Sequence, residues 1–329
     1  MNAALEVANL SVSFLTDKGW VQATQDVSFS VDAGKILGIV GESGSGKTVS
    51  CLAAMGLLER ESSRLAAGGS IRLGGHELLG LSSREFQKVR GDQIAMIFQE
   101  PMTSLNPAFT IGNQVAEGLR RHRGLTRKKA QQRTIELLEM VGISDPKATV
   151  YYYPHALSGG MRQRAMIAMA LACEPQVLVA DEPTTALDVT VQAQILDLIR
   201  SMRDELGIAV VLITHDLGVI AEMCDEVAVM YAGQVVEQAS VDELFEHPSH
   251  PYTEGLLASM PRLGSNRQAL GVVPGRVPAP WAFPEGCRFA PRCPYRGEIC
   301  SNPPELQPIA DGHTSACNRV AELHLEGIR

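Results

Sequence analysis

The stretch "ILGIVGESGSGKT" constrains the fold of this 329-residue chain more than any other part of its sequence. It joins an apolar run of strand length to a loop, residues 41–48, with the pattern Gly-x-x-x-x-Gly-Lys-Thr. The following residues, "VSCLAAMGLL", carry apolar side chains at helical spacing. A strand, a glycine-rich loop and a helix in this order predict a phosphate-binding loop within an α/β fold.

The residue types of this loop predict how it would hold a nucleotide. Lys47 is expected to reach the β- and γ-phosphates, and the Thr48 hydroxyl is expected to ligate Mg²⁺. The other loop residues are expected to bind phosphate through backbone N–H groups; they are Gly41, Ser43, Gly44, Ser45 and Gly46. The alternative is an ordinary glycine-rich turn, and the strand and helix on either side argue against it.

Two further apolar strands end in chemically active side chains. "QVLVADEPT" places Asp181 and Glu182 at a strand end, where parallel α/β sheets bind ligands. We expect Asp181 to hold Mg²⁺ and Glu182 to polarise the water that attacks the γ-phosphate; a helix cap is the alternative. "IAVVLITHD" places His215 at the same edge, as a phosphate sensor or as a structural histidine.

A second helix start is shaped for phosphate. "LSGGMRQR" opens an apolar-periodic helix, and Ser158, Gly159 and Gly160 are placed as its cap and as an anion-binding nest. Because one phosphate loop is already present, this second site is expected to face a nucleotide held by another subunit.

From about Leu5 to Val236 the chain resembles the ATP-binding subunits of ATP-binding-cassette (ABC) transporters. "GESGSGKT" resembles the Walker A loop, "LSGGMRQR" the family signature and "VLVADEPT" the Walker B strand. Gln99 matches the Q-loop glutamine, "ALD" at 186–188 the D-loop and His215 the switch histidine. All of these motifs occur in the family's order.

The resemblance implies a site shared by two subunits. Each ATP would lie between the Walker A loop of one subunit and the signature of the other. Glu182 stands at the position of the catalytic base, with Gln99 and His215 as further catalytic residues. Gln99 is also an expected Mg²⁺ ligand and Asp188 an expected nucleotide contact. Phe14 occupies the place of an aromatic that stacks on adenine, although it could equally belong to the core.

The expected fold is α/β, with a mainly parallel sheet, an antiparallel β-layer and an inserted helical subdomain. "LEVANLSVSF" and "WVQATQDVSFSVDAG" alternate as antiparallel strands do, and "IGNQVAEGLRRH" and "TRKKAQQRTIELLEMVG" have helical patterns. We predict a nucleotide-binding domain over residues 1–240, with its helical subdomain at about 99–160. An irregular, cysteine-containing C-terminal extension is expected over 241–329.

The last third resembles the dipeptide and oligopeptide importer branch of the family, on "HPSHPYTEGLLASMP" and "PGRVPAP". This implies an ATPase that powers import of dipeptides or short oligopeptides, bound to the cytoplasmic face of the inner membrane. The implied partners are two membrane permease subunits, an extracytoplasmic solute-binding protein and a paralogous ATPase that completes a heterodimer. Importers of nickel complexes or other peptide-like solutes are the alternative.

Four cysteines lie in the extension, with five, six and sixteen residues between them: Cys287, Cys293, Cys300 and Cys317. This spacing differs from the C-x-x-C pairs of common zinc modules. We expect a structural [4Fe–4S] cluster that stabilises an extension with little core of its own. Zinc and reduced thiols without a metal are the alternatives.

Charge and length exclude other classes. The net charge of −8 argues against nucleic acid as a partner. No apolar run approaches the ~18 residues that span a bilayer. Soluble ABC proteins of ribosomes or DNA repair normally carry two cassettes or a long coiled-coil insertion, and neither is evident. A redox-sensing module would explain the cysteines and leave the other motifs without a purpose.

Overall fold

The computed structural model describes residues 3–100, 104–185, 188–260 and 273–328. The strands of this part of the chain are β1 (Leu5–Thr16), β2 (Gly19–Val31), β3 (Ile36–Val40), β4 (Ser63–Leu65), β5 (Ser70–Leu73), β6 (His76–Glu77), β7 (Ile94–Ile97), β8 (Val177–Asp181), β9 (Ala209–Thr214), β10 (Glu226–Tyr231), β11 (Gln234–Ser240), β12 (Gln307–Ala310) and β13 (His313–Ser315). The helices are α1 (Lys47–Ala54), α2 (Ser83–Val89), α3 (Ile111–His122), α4 (Arg127–Met140), α5 (Pro146–Thr149), α6 (Gly159–Leu171), α7 (Val189–Leu206), α8 (Leu217–Met223), α9 (Val241–Glu246) and α10 (Pro251–Ala258).

The chain divides into two compact units. The first consists of Met1–Leu5, Val31–Lys35 and Leu73–Leu212, and the second of Glu6–Ser30, Ile36–Arg72 and Ile213–Arg329. Within the described residues, no helix is both long and apolar enough to cross a membrane.

The first unit is built on strands buried along their whole length. β7 and β8 pair in parallel from Ile94↔Val177 to Ile97↔Ala180, and β9 lies next to β8. Every residue of β7 and β8 is buried, which is typical of parallel strands covered on both faces. Glu182 directly follows the carboxyl end of β8, and Gln99 stands two residues after the carboxyl end of β7.

The predicted helices of the first unit are confirmed. α3 covers the stretch "IGNQVAEGLRRH", and α4 begins after Thr126, whose side chain accepts a hydrogen bond from the Lys129 N–H. Both helices bury one side, with Val115 and Leu119 on α3 and Leu137 and Leu138 on α4 among the buried residues. The spacing of these residues is the amphipathic pattern that predicts a helix.

The second unit contains a mixed sheet that includes the strand before the phosphate-binding loop. β3 and β10 pair in parallel, β10 and β11 pair antiparallel, and β11 is followed by β13 and β12. A separate layer has the order β2–β1–β5, with β4 antiparallel to β1. The β-layer predicted from the alternating N-terminal stretches is thus present.

The C-terminal extension is more regular and better packed than its sequence predicts. β13 pairs with β11 through Glu237↔Ser315 and Gln238↔Thr314, and α9 and α10 also lie in the extension. Tyr252 and Phe289 are buried in one cluster with Val40 and Tyr231. Their aromatic rings pack closely, with 5.4 Å between the centroids of Tyr252 and Phe289. The extension, which was expected to have little core of its own, shares the core that surrounds β3 and β10.

Candidate active site

The phosphate-binding loop connects β3 to α1, and its glycines are required by close contacts. A Cβ atom at Gly41 would lie 2.1 Å from the carbonyl oxygen of Met230, so no larger residue fits. Gly46, with φ of +95°, precedes α1, and a Cβ there would lie 2.8 Å from Cγ2 of Thr24. The loop is consequently held closely against neighbouring strands of its own unit.

The polar groups of the loop fit a phosphate ligand. Lys47 is buried, and its Nζ donates to the carbonyl oxygens of Gly41 at 2.7 Å and Glu42 at 3.1 Å. Ser45 Oγ is buried with no hydrogen-bond partner in the described part of the chain. The residue before α1 is Gly46, and no side chain caps the start of this helix. Ser43 and Gly44 are exposed, while Thr48 is half-buried on α1.

Glu182 and Gln99, predicted from separate motifs, are brought together in the first unit. Gln99 Nε2 donates to Glu182 Oε2 at 3.0 Å, and Thr185 Oγ1 donates to the same oxygen at 2.8 Å. Glu182 has φ of +44°, an uncommon conformation for a non-glycine residue. Asp181 is buried at the end of β8. The carboxylate of Glu182 is thus oriented by two hydrogen bonds to one of its oxygens.

The signature residues lie at the start of α6, as predicted. Ser158 Oγ accepts from the Met161 N–H at 3.3 Å, and both Ser158 and Gly159 are exposed. Gly160 has little room for a side chain, because a Cβ would lie 3.2 Å from Cγ1 of Val191. The cap predicted at Ser158 is confirmed, while phosphate binding at this helix start remains a prediction.

The remaining predicted site residues are placed as follows. His215 is exposed directly after β9, and Asp188 is exposed and caps α7 by accepting from the Val191 N–H at 2.9 Å. Phe14 is half-buried on β1, opposite Ser63 of β4. The other two residues of the predicted D-loop, Ala186 and Leu187, lie outside the described residues. The roles of His215, Asp188 and Phe14 stay predictions.

The four cysteines of the extension line one cavity; they are Cys287, Cys293, Cys300 and Cys317. Burial raises the pKa of Cys287 and Cys317 and raises the pKa of Cys293 to about 11. These thiols are therefore protonated at neutral pH unless a metal displaces the protons.

The predicted metal site finds no support in the described residues. No group of three or more His, Cys, Asp or Glu side chains among them is arranged to hold a metal ion. The four cysteines line one cavity, but neither the [4Fe–4S] cluster nor the zinc alternative is supported by the arrangement of the described side chains.

The structure also shows site residues that the sequence analysis missed. Tyr252 and Arg292, both in the extension, contact Glu42 of the phosphate-binding loop, and Thr185 contacts Glu182. Arg292 lies in the stretch "CRFAPRC", where two arginines stand between cysteines. Neither their burial nor their partner could be read from that pattern.

An ATPase of the ATP-binding-cassette class is the kind of protein that this fold and these motifs define. Comparison with known proteins agrees: residues 24–185 match the family described as "ABC transporter". Residues 236–300 match the family described as "Oligopeptide/dipeptide transporter, C-terminal region". The chain belongs to the ABC transporter ATPases, in the group that carries this oligopeptide/dipeptide C-terminal region.

Individual relatives match along nearly the whole chain. The oligopeptide transport ATP-binding protein AppD of Bacillus subtilis is 48% identical over 318 residues, which are 96% of this chain and 97% of AppD. The oligopeptide transport ATP-binding protein OppD of Salmonella typhimurium is 47% identical, over 98% of this chain and 95% of OppD. A solved dimer of the ATP-binding cassette MJ0796 in a post-hydrolysis state with ADP and phosphate is 27% identical, with a TM-score of 0.64. It covers 72% of this chain and 98% of the MJ0796 chain.

Proposed function

We propose that this chain hydrolyses ATP to power the import of dipeptides or short oligopeptides through partner permease subunits. The observation that carries the peptide cargo is the match of residues 236–300 to the C-terminal region of oligopeptide/dipeptide transporters. The names of AppD and OppD, which align along more than nine-tenths of the chain, support the same cargo.

The side chains around Glu182 support its role as the base. A base that activates water must be oriented toward the water, and the hydrogen bonds from Gln99 and Thr185 orient this carboxylate. Glu182 would accept the proton as the water oxygen attacks the γ-phosphorus and the bond from that phosphorus to the β–γ bridging oxygen breaks, which releases ADP and phosphate. His215 would also lie near the γ-phosphate, as a second polar side chain in addition to Glu182.

The phosphate-binding loop would hold the rest of the triphosphate. Lys47 is poised over the loop by its bonds to Gly41 and Glu42, and would exchange them for the β- and γ-phosphate oxygens. Thr48, Gln99 and Asp181 are the proposed ligands of Mg²⁺, which would neutralise charge on the phosphates. Phe14 would stack on the adenine.

The signature residues would serve a second subunit. Ser158, Gly159 and Gly160 would contact ATP held by a paralogous ATPase, and Asp188 would lie at that interface. The exposure of Ser158 and Gly159 supports a contact outside the chain. We propose a heterodimer bound peripherally to two permease subunits at the cytoplasmic face of the membrane, supplied by a solute-binding protein. The domain division into 1–240 and 241–329, with a helical subdomain at 99–160, is part of this proposal.

Co-purification tests the transporter assignment. The tagged chain, expressed in its native cells and extracted from membranes in mild detergent, is expected to bring down two membrane proteins and a second ABC ATPase. An untagged strain serves as the control. The transporter assignment would be contradicted if the tagged chain were recovered with ribosomal particles. It would also be contradicted if the chain were recovered without partner proteins from both the membrane and the cytosolic fractions.

We further propose that the four cysteines of the extension bind a [4Fe–4S] cluster with a structural role. The cavity that all four cysteines line supports this proposal, because cysteine thiolates are the usual ligands of such a cluster. The cluster would add to the stability of a segment that already packs on the core. Anaerobic purification is expected to yield about four iron and about four sulfide per chain.

Substitution separates the cavity cysteines from the others. Cys300→Ser is expected to lose most of the iron, whereas Cys224→Ala, outside the cavity, is expected to keep it. About one zinc per chain, or iron that survives Cys300→Ser, would overturn the cluster.

A further inference from the structure

Glu42 is the second residue of the phosphate-binding loop. Its N–H, its carbonyl oxygen and its carboxylate all make hydrogen bonds within its own unit. Its N–H donates to Tyr252 Oη at 2.9 Å, and its carbonyl oxygen accepts from Lys47 Nζ at 3.1 Å. The Ser45 N–H donates to the same carbonyl at 3.2 Å. Its carboxylate accepts from Arg292 Nη1 at 2.9 Å. Two of these partners, Tyr252 and Arg292, belong to the C-terminal extension.

Arg292 is rigidly placed for this contact. Its side chain is 5% exposed, against 32% for that of Glu42. Nε donates to the carbonyl oxygen of Pro274 at 2.7 Å, and Nη2 donates to that of Val273 at 3.2 Å. A planar guanidinium fixed by two carbonyl oxygens on one side presents its remaining N–H groups in a defined direction. That direction is toward Glu42 and, at 3.4 Å, the hydroxyl of Tyr231.

A second arginine of the same segment supports the same part of the molecule. Arg288 donates to the carbonyl oxygen of Ala232 and to the Gln25 side chain. The next residue along, Gly233, donates its N–H to the carbonyl oxygen of Ser45 in the loop at 3.0 Å. In the segment between Cys287 and Cys293, Arg292 therefore contacts the phosphate-binding loop directly. Arg288 acts one step away, because it binds Ala232 and the adjacent Gly233 binds the loop.

We propose that Arg292 is a positioning residue of the phosphate-binding loop, which it holds in its ATP-binding conformation through Glu42. This inference rests on the proposed nucleotide site. A loop already fixed in its bound conformation loses less entropy when the ligand binds, and so binds it more tightly. Arg292 also neutralises a carboxylate that would otherwise repel the triphosphate. The C-terminal extension thereby contributes to ATP binding as well as to the stability of the fold.

The test measures ATP affinity and steady-state hydrolysis with the full-length chain. In Arg292→Gln, the Kd and the KM for ATP are expected to rise about tenfold, because a charged hydrogen bond to the loop is lost. The value of kcat is expected to stay within about twofold, since the groups around Glu182 are untouched. Arg292→Lys keeps the positive charge but lacks the planar guanidinium with its several N–H donors, and it should raise the Kd for ATP about threefold. Arg296→Gln is the matched control, because Arg296 is an exposed arginine four residues after Arg292, and this variant should bind ATP as the wild type does.

A double-mutant cycle separates positioning from a general loss of structure. Glu42→Gln alone should raise Kd about threefold, and adding Arg292→Gln to it should change Kd no further. A purely structural role predicts the same tenfold loss in both backgrounds, and that result would overturn the proposal. Should Arg292→Gln fail to fold, Arg292→Lys carries the same comparison.

Two further outcomes are distinguishable. If the wild-type chain binds ATP and Arg292→Gln binds it equally well, the positioning role of Arg292 is wrong and the nucleotide site stands. A wild-type chain that binds no ATP would overturn the nucleotide site, and the positioning role with it.

Discussion

At the scale of single residues, the proposed hydrolysis depends on the carboxylate of Glu182. Gln99 and Thr185 both donate to one of its oxygens, and a backbone φ of +44° holds the residue in an uncommon conformation. Such local constraints cost on the order of 1 kcal/mol and persist where the surrounding structure enforces them. The arrangement is consistent with a side chain whose direction matters for reaction with water.

The residue-scale prediction is that Glu182→Gln separates ATP binding from turnover. Glutamine keeps the size and the hydrogen-bonding oxygen but cannot accept the proton from water. Phosphate release should fall at least about 100-fold, while the Kd for ATP should stay within about threefold. Glu205→Gln is the matched control, because Glu205 is exposed on α7 and makes the same charge change. Turnover close to wild type in Glu182→Gln would remove Glu182 from the role of base.

Motifs predicted some of these residues and not others, for a physical reason. Glu182 was predicted because it follows the end of an apolar strand, whereas Gln99 was predicted only from its match to the Q-loop glutamine of the ABC family. Arg292 and Tyr252 reach Glu42 from 250 and 210 positions along the chain. Nothing in the local sequence distinguishes a buried arginine that binds a distant carboxylate from an arginine in solvent.

At the scale of elements, the pairing of β13 with β11 buries a charged pair. His313 on β13 is 2% exposed, and its Nε2 lies 2.8 Å from Glu237 Oε1 on β11. Glu243 Oε1 lies 3.5 Å from the other ring nitrogen. Burial alone would lower the pKa of His313, but the hydrogen bonds and charges of Glu237 and Glu243 outweigh it and raise the pKa above its ordinary value of 6.5.

The sign of this pKa shift gives the second prediction. Because the folded state holds the proton more tightly, the pair stabilises the fold fully below about pH 6.5, and this stabilisation is lost as pH rises through the raised pKa. His313→Gln should therefore lower the free energy of unfolding by about 3 kcal/mol at pH 6 and by clearly less at pH 9, measured by urea unfolding. His247→Gln, at an exposed histidine near Glu246, is the control and should have little effect. A loss that is equal at both pH values would contradict the charged pair.

The elements themselves were unequally predictable. α3 and α4 have long apolar periodicities and capping threonines, and both were predicted within about two residues of their bounds. β12 and β13 have only four and three residues, including proline and histidine, and they form because a neighbouring strand supplies their hydrogen bonds. Strands stabilised by a distant partner leave almost no local pattern.

At the scale of the whole molecule, motif order was enough to identify the class. The phosphate-binding loop, the signature and the Walker B strand occur in a sequence order that few folds share, and the comparisons along 96% of the chain with AppD confirm it. The packing of the extension was not predictable, because Phe289 and Tyr252 look like isolated aromatics in a proline-rich segment. Their common burial with Val40 makes the extension part of the core around the phosphate-binding loop.

The measurement that tests the account most directly is uptake of labelled dipeptide by native cells, with labelled nickel uptake measured in parallel. Strains carry the wild-type chain, Glu182→Gln or the control Glu205→Gln. We expect dipeptide uptake to fall at least about 100-fold with Glu182→Gln, in proportion to hydrolysis, and to be unchanged with the control. Nickel uptake should be the same in all three strains. Loss of nickel uptake alone would contradict the peptide cargo, and unchanged uptake of both solutes would contradict the claim that this ATPase drives peptide import.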